Sequence, residues 1–438
     1  MTLLDLTPRV IEDDRLTALP VAIIGAGPIG LAAAAHLRER GIDFVIFEAG
    51  DQVAASIRAW GHTRLFSPWK HLVDPASRRL LEAQGWELPD PDRAPTGTEL
   101  VERYIAPLAA LEPIASRLRT GVEVIGVTRE GMDRTRTRAR FVTPFAVRVR
   151  AASGEIEDVA ARAVIDASGT YRSPNPLSSG GLELLGMAEI ADRVTGALPD
   201  VLGRDRATFA GRHTTVVGAG HSAANTLLGL IELAREEPAT TVTWLIRHAQ
   251  AVRVSSSQDD ELADRARLGS RVDQAVADGR ITVLNGFEII RGRRAGGVVE
   301  LVGHRRGEIA VHATDVVVNA TGFRPDLDIL REVRLELDDI VEAPKRLAPL
   351  IDPNVHSCGT VEPHGFRELA HPEKGFFVVG MKSYGRAPTF LLATGYEQVR
   401  SVTAWLAGDT SSAAHVELVL PATGVCSTDA SDGGGCCS

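Results

Sequence analysis

The chain has 438 residues, 44% hydrophobic and 24% charged, values that exclude collagen-like, coiled-coil and disulfide-scaffold classes and suit roughly two or three globular domains. Its 48 basic and 57 acidic residues give a net charge of −9 and are spread along the sequence, so no segment is suited to counterion release from nucleic acid. No apolar run approaches the ~20 residues that span a bilayer and no basic-then-apolar leader opens the chain, so a cytoplasmic protein without nucleic-acid or membrane partners is expected.

In chain order, Pro20 introduces Val21-Ala22-Ile23-Ile24, a short apolar run of the kind that forms a buried parallel strand. The glycine cluster Gly25-Ala26-Gly27-Pro28-Ile29-Gly30 leads into an alanine-rich helical pattern over 31–40, and 43–47 reads as a second strand. Further strands are expected at 145–149 and 163–166. A Pro/Gly/Ser-rich connector over 173–181 is expected to cross between domains. The plan then repeats: a strand at 214–217, the turn Gly218-Ala219-Gly220-His221-Ser222-Ala223, a helix at 225–236 and a strand at 241–246. Strands at 281–284, 298–302, 315–319 and 376–379 follow, then a helix over about 388–406. After Pro421 the composition turns to Gly, Ser, Asp and Cys, too polar to offset the entropy of ordering, so a disordered tail is expected.

Each glycine turn has a strand before it and a helix after it, which is the context that gives the spacing meaning. Gly25 permits the tight turn, Gly27 lets a pyrophosphate approach the backbone, and Gly30 lets the helix pack closely, with the phosphate on the helix's positive end. Glu48, at the end of the second strand, is placed to accept hydrogen bonds from ribose hydroxyls. In the second unit Gly218, Gly220 and Ala223 repeat the pattern, with His221 and Ser222 inside the turn. There the strand ends in Arg247 instead of an acid, with Arg253 nearby. An acid would repel a 2′-phosphate and arginine would pair with it, so NADP is favoured over NAD.

Two nucleotide sites in one chain suit a flavin enzyme that draws hydride from a nicotinamide. The glycine turns, with Asp166-Ala167-Ser168-Gly169-Thr170-Tyr171 and Asn319-Ala320-Thr321-Gly322-Phe323-Arg324-Pro325, resemble those of the two-dinucleotide-binding-domain flavoproteins, the superfamily of thioredoxin reductases and flavin-containing monooxygenases. The resemblance covers nearly the whole chain. It implies an α/β fold in which an FAD-binding Rossmann-like domain (1–175 and 323–422) carries an inserted NADPH-binding Rossmann-like domain (205–322), followed by a cysteine-containing tail (423–438). FAD and NADPH are the cofactors it implies. Ser168, Gly169, Thr321 and Gly322 belong to its two interdomain crossings.

A disulfide reductase of this superfamily holds a cysteine pair against the flavin. The four cysteines are Cys358, Cys426, Cys436 and Cys437, with no C-x-x-C or C-x4-C among them. Dioxygen is then the usual electron acceptor, which makes a monooxygenase acting on a small soft nucleophile the leading reading. The segments 65–69, 349–360 and 380–390 also resemble flavoprotein monooxygenases encoded in bacterial arsenic-resistance operons. The chain departs from the monooxygenase pattern at Phe209-Ala210-Gly211-Arg212-His213, where the histidine comes two residues too early, and at Met381, which follows Gly380 where many relatives place an acid. His364, Lys382 and Tyr384 are candidates for proton handling, with His371 in the same region. Ser67 and Trp69, with Lys70, are candidates to line the flavin.

Cys426, Cys436 and Cys437 offer a possible three-sulfur site to a soft ion such as trivalent arsenic. Two rival readings stay open: a reductase passing electrons to a metal, metalloid or thiol at this tail, and a non-catalytic metalloid-binding or redox-sensing flavoprotein. The expected partners of the enzyme are a small-molecule substrate and dioxygen.

Overall fold

The computed structural model describes residues 14–248, 263–352, 363–387 and 390–418. Strand β1 (Val21–Ile24) is buried along its whole length, as befits an apolar run enclosed on both faces. Helix α1 (Pro28–Glu39) follows. It starts earlier than the alanine pattern indicates because Pro28 takes the first helical position, where its missing N–H has no partner to lose. Next come β2 (Phe44–Glu48), β3 (Leu118–Thr120), a meander of β4 (Val122–Arg129), β5 (Phe145–Ala151) and β6 (Ile156–Ala161), and then β7 (Ala163–Asp166).

β7, β1, β2 and β3 lie side by side in that order as a parallel sheet. Alternate residues serve opposite faces. Val21 and Ile23 pack with α1 in one core, and Ala22 and Ile24 pack with the meander residues Val124, Val147 and Val149 in another. This two-residue alternation lets one short apolar strand hold three layers together.

The second unit repeats the plan. β8 (Val194–Thr195), β9 (His213–Val217), helix α2 (His221–Glu236), β10 (Thr241–Ile246) and β11 (Thr282–Asn285) precede a meander of β12 (Phe287–Ala295), β13 (Val298–Arg305) and β14 (Glu308–Thr314). β15 (Val316–Asn319) ends the unit. Its parallel sheet runs β11-β10-β9-β15-β8, with α2 on one core and the meander on the other. β8 pairs with β15 although it lies before residue 205, so this sheet starts earlier than the expected domain boundary. Two residues are too few to show a strand pattern in sequence.

The chain then returns to the first unit. β16 (Phe376–Val378) adds to the outer edge of β7, and α3 (Leu392–Leu406) packs on α1. A Cβ on Gly395 would lie 2.5 Å from Ile29 Cδ1, so the two helices approach through a residue without a side chain. The first meander is tied to the segment before β16 by a buried ionic cluster. The Glu373 carboxylate accepts from Arg129 Nε at 2.9 Å and Arg140 Nε at 2.8 Å. Both guanidinium groups spend further N–H groups on backbone carbonyls, including those of Thr143 and Asp133.

Removing one partner of such a cluster leaves uncompensated buried charge. Glu373→Ala is expected to lower the unfolding free energy by about 3–5 kcal/mol. Urea unfolding of variant and parent checks this, and coincident midpoints would refute it.

Candidate functional site

The first glycine turn is shaped by a close contact. Gly25 has φ +97°, and a Cβ there would lie 2.8 Å from the carbonyl oxygen of Ala167 in the segment leaving β7. A Cβ on Gly30 would lie 2.0 Å from Gly25 O, so only glycine lets α1 sit down on the turn. A Cβ on Gly27, by contrast, would meet nothing within 4 Å. Gly27 caps α1 without any side-chain hydrogen bond, so the first-turn N–H groups of α1, including that of Ile29, take no partner from the capping residue. Such a terminus suits a phosphate group. Beside it, Glu48 accepts from Ala26 N–H and Gly50 N–H, each at 2.8 Å, which fixes its carboxylate and leaves each oxygen a further lone pair.

The second turn is built alike. Gly218 has φ +127°, and its Cβ would lie 2.1 Å from Ala320 O in the segment leaving β15. Gly220 faces open space and caps α2 without a side-chain bond. Ala223, in the place of the third glycine, is fully buried, and His221 and Ser222 are half-buried in the first turn of α2. Arg247 follows β10 on the exposed surface, where its guanidinium lies 3.3 Å from Ser179 O and 3.4 Å from His248 Nε2. Arg253 lies outside the described residues.

The segments that support the turns are also twins. Asp166 Oδ1 accepts from Ser168 N–H (3.1 Å) and Ser168 Oγ–H (2.6 Å). Asn319 Oδ1 accepts likewise from Thr321 (3.3 and 2.7 Å). Gly169 and Gly322 both take positive φ. The two segments are then joined: Asn175 N–H donates to Gly322 O, Asn175 Nδ2 to Thr321 O, Asn319 Nδ2 to Asn175 O, and Arg324 N–H to Ser173 O. The twins differ in charge. Asp166 is an anion at zero exposure, and its counter-charge is Lys382, whose Nζ donates to Asp166 Oδ2 at 2.7 Å and to Ser168 Oγ at 3.1 Å.

A family model for the pyridine nucleotide-disulphide oxidoreductases matches residues 22–131 and 146–357, which take in both glycine turns and both crossing segments. The chain belongs to this family. A search of curated proteins returned no match. Among solved structures, the bacillithiol disulfide reductase of Bacillus cereus is 19% identical with a TM-score of 0.62, covering 89% of this chain and 99% of that one. An ornithine N-hydroxylase of a Kutzneria species, solved with reduced FAD, NADP+ and L-ornithine, is 16% identical with a TM-score of 0.61, covering 90% and 99%. A flavin monooxygenase of Stenotrophomonas maltophilia is 24% identical with a TM-score of 0.57, covering 89% and 99%. These likenesses establish the fold of this pyridine nucleotide-disulphide oxidoreductase family member. Among the described residues, no helix is long and apolar enough to cross a membrane.

The proposed proton-handling residues are enclosed by the chain itself. Lys382 is held in the ion pair above. His364 Nε2 lies 2.8 Å from Gln398 Nε2. Because Gln398 Oε1 is engaged by Gly380 N–H at 2.7 Å, the amide nitrogen faces His364, and that ring nitrogen is the acceptor. Tyr384 packs between His364 and Phe390, and burial pushes its hydroxyl pKa well above the ordinary tyrosine range, with a smaller opposing effect from Thr394. All three are at most 2% exposed. Lys382 and His364 make these hydrogen bonds to other protein side chains.

Gly380 in that turn has φ +69° and sits against Ile29 of α1, so the turn abuts the first nucleotide unit. Met381 follows it, partly buried, and brings no carboxylate there. Trp69 is fully buried in the first core with its Nε1–H unpaired, Ser67 is buried, and Lys70 forms an exposed ion pair with Asp92. Cys358, Cys426, Cys436 and Cys437 lie outside the described residues. The sequence reading missed Asn175, whose part appears only when both crossings are seen together. It also missed the pairing of Lys382 with Asp166, which no local spacing could show.

Two predictions follow from the charged and titrating groups. Lys382→Met strands the Asp166 charge and should cost about 3–5 kcal/mol, whereas Asp166→Asn with Lys382→Met reproduces the neutral pattern of Asn319 and should recover most of it. Thermal unfolding of both variants decides this, and a stable single variant would overturn the assignment. His371, buried with Nδ1 accepting from Glu336 N–H, has its pKa lowered from 6.5 to about 4, chiefly by burial. Its contribution is therefore complete above about pH 6.5 and is lost as pH falls towards 4, at up to about 1.4 kcal/mol per pH unit. His371→Asn should remove that component from unfolding free energies measured between pH 7 and 4. An unaltered pH profile would contradict it.

Proposed function

We propose that this family member is an FAD-dependent, NADPH-using oxidoreductase that works as a monooxygenase on a small soft-nucleophile substrate. The observation that carries this reading is the pair of uncapped helix termini at Gly27 and Gly220. Each faces open space, and each is backed by a crossing peptide that only a glycine can approach. In the first, the N–H groups at the start of α1 hold the FAD pyrophosphate and Glu48 takes the adenosine ribose hydroxyls, with Gly25, Pro28, Ile29 and Gly30 shaping the turn. Ser67, Trp69, Ser168, Gly169 and Gly380 complete its surroundings. In the second, Gly218, Gly220, His221, Ser222 and Ala223 receive the NADPH pyrophosphate, Thr321 and Gly322 support it, and Arg247 pairs with the 2′-phosphate.

FAD supplies hydride acceptance from the nicotinamide and onward transfer of electrons to dioxygen. The protein's own part is to bind both nucleotides, to hold the turn after β16 in place through Lys382 and Gln398, and to keep Tyr384 protonated. The absence of a C-x-x-C or C-x4-C pair in the sequence favours oxygen over a disulfide as the electron acceptor. The likeness of segments 65–69 and 380–390 to monooxygenases of arsenic-resistance operons supports a trivalent arsenical as the substrate to try first.

The test is anaerobic reduction by NADPH followed by mixing with oxygen, with and without a trivalent arsenical. NADPH should bleach the flavin much faster than NADH, and the arsenical should raise substrate-coupled oxygen consumption. Arg247→Ala should raise the KM for NADPH roughly 10- to 100-fold and leave NADH nearly unaffected. Turnover that requires oxygen and survives serine replacement of Cys426, Cys436 and Cys437 supports the monooxygenase. Turnover abolished by that replacement supports a reductase acting through the tail.

A further inference from the structure

The loop 61–69 of the first unit is clasped to the segment 91–98. Leu65 N–H donates to Pro95 O (2.9 Å), Gly97 N–H to Thr63 O (2.9 Å), Thr98 N–H to Gly61 O (2.8 Å) and Trp69 N–H to Arg93 O (3.1 Å). Arg64 Nη1 adds a bond to Ala94 O at 2.6 Å. A loop held at this many points presents its side chains in fixed directions. Trp69 goes into the first core. Phe66 goes the other way, across the boundary between the units, with its ring centroid 5.2 Å from that of His221 and the planes inclined at 33°.

His221 is the first residue of α2, directly after Gly220. The contact of Phe66 with His221 therefore joins loop 61–69 to the start of α2.

At a phosphate-binding helix terminus the N–H groups of the first turn must stay clear of the chain's own side chains. Gly220 has none and the Ala223 methyl is buried. The imidazole of His221 is the bulky group at this turn, and the Phe66 ring packs against it. We propose that Phe66 is a positioning residue for the nicotinamide nucleotide: by fixing the His221 ring it keeps the first turn of α2 open to the pyrophosphate and couples binding on the second unit to the loop beside Trp69. The inference rests on the reading that the second unit binds NADPH.

The experiment is calorimetric titration of NADP+ into FAD-loaded wild type, Phe66→Ala, Phe66→Tyr, His221→Ala and the double Phe66→Ala/His221→Ala variant, with FAD content measured on each sample. Phe66→Ala should weaken NADP+ binding roughly three- to tenfold at unchanged FAD content, and Phe66→Tyr should restore it. The effect acts through His221, so the double variant should bind as His221→Ala alone does. Wild-type affinity in Phe66→Ala, or losses that multiply in the double variant, would overturn the proposal. If Phe66→Ala fails to retain FAD, Phe66→Leu carries the same expectation and the same refutation. A wild type that binds no NADP+ would instead bring down the two-nucleotide reading on which this one stands.

Discussion

Each nucleotide turn rests against a peptide carbonyl supplied by a distant strand. Gly25 lies against Ala167 O and Gly218 against Ala320 O, at separations where any Cβ would overlap the oxygen. This contact makes the rest of the site necessary. A turn that close to its support inherits any movement of the support, so the segments leaving β7 and β15 have to be rigid. Both achieve this with the same device, a strand-end side chain whose oxygen binds the N–H and O–H of the residue two places on. The first nucleotide turn and the turn after β16 are in contact through Ile29 and Gly380, so rigidity in one is shared by the other.

The twins part where the second unit uses a neutral amide and the first a carboxylate. A buried carboxylate is tolerable only with a counter-charge and filled hydrogen-bonding positions, and Lys382 provides both by binding Asp166 and Ser168. The charge also ties the loop after β16 to the first crossing, a link that the second unit has no equivalent strand to require. Gln398, whose amide oxygen accepts from Gly380 N–H, holds the same turn from the side of α3.

The parts of the molecule that were readable in sequence are those whose physics is local. The glycine turns could be found because turn geometry, helix start and strand end fall within a few residues, and the burial of β1 and β10 follows from their apolar runs. The place of Arg247 directly after β10 was legible because it is counted from the strand it follows. Lys382, His364 and Tyr384 stood out in sequence as polar residues in the turns flanking the late strand and were read as candidates for proton handling. Their partners Asp166, Gln398 and Phe390 come from other parts of the fold, and those partners determine what the side chains do. The meander strands β4 to β6 and β12 to β14 were only partly visible, since their second faces meet solvent and their patterns are mixed with arginine and glutamate. β8 gave no signal at all, because it is held in its sheet by β15 alone.

The two connectors between the units are short, run side by side and exchange hydrogen bonds through Asn175, Asn319 and Thr321. Mechanically, such a pair behaves as a leaf spring and not as a tether. It resists sliding and separation of the lobes and yields most easily to bending about the line where Asn175 meets Gly322. Any relative motion of the lobes is thereby channelled into an arc about one axis. The atoms beside Ser168 and Thr321, close to that axis, would hardly move.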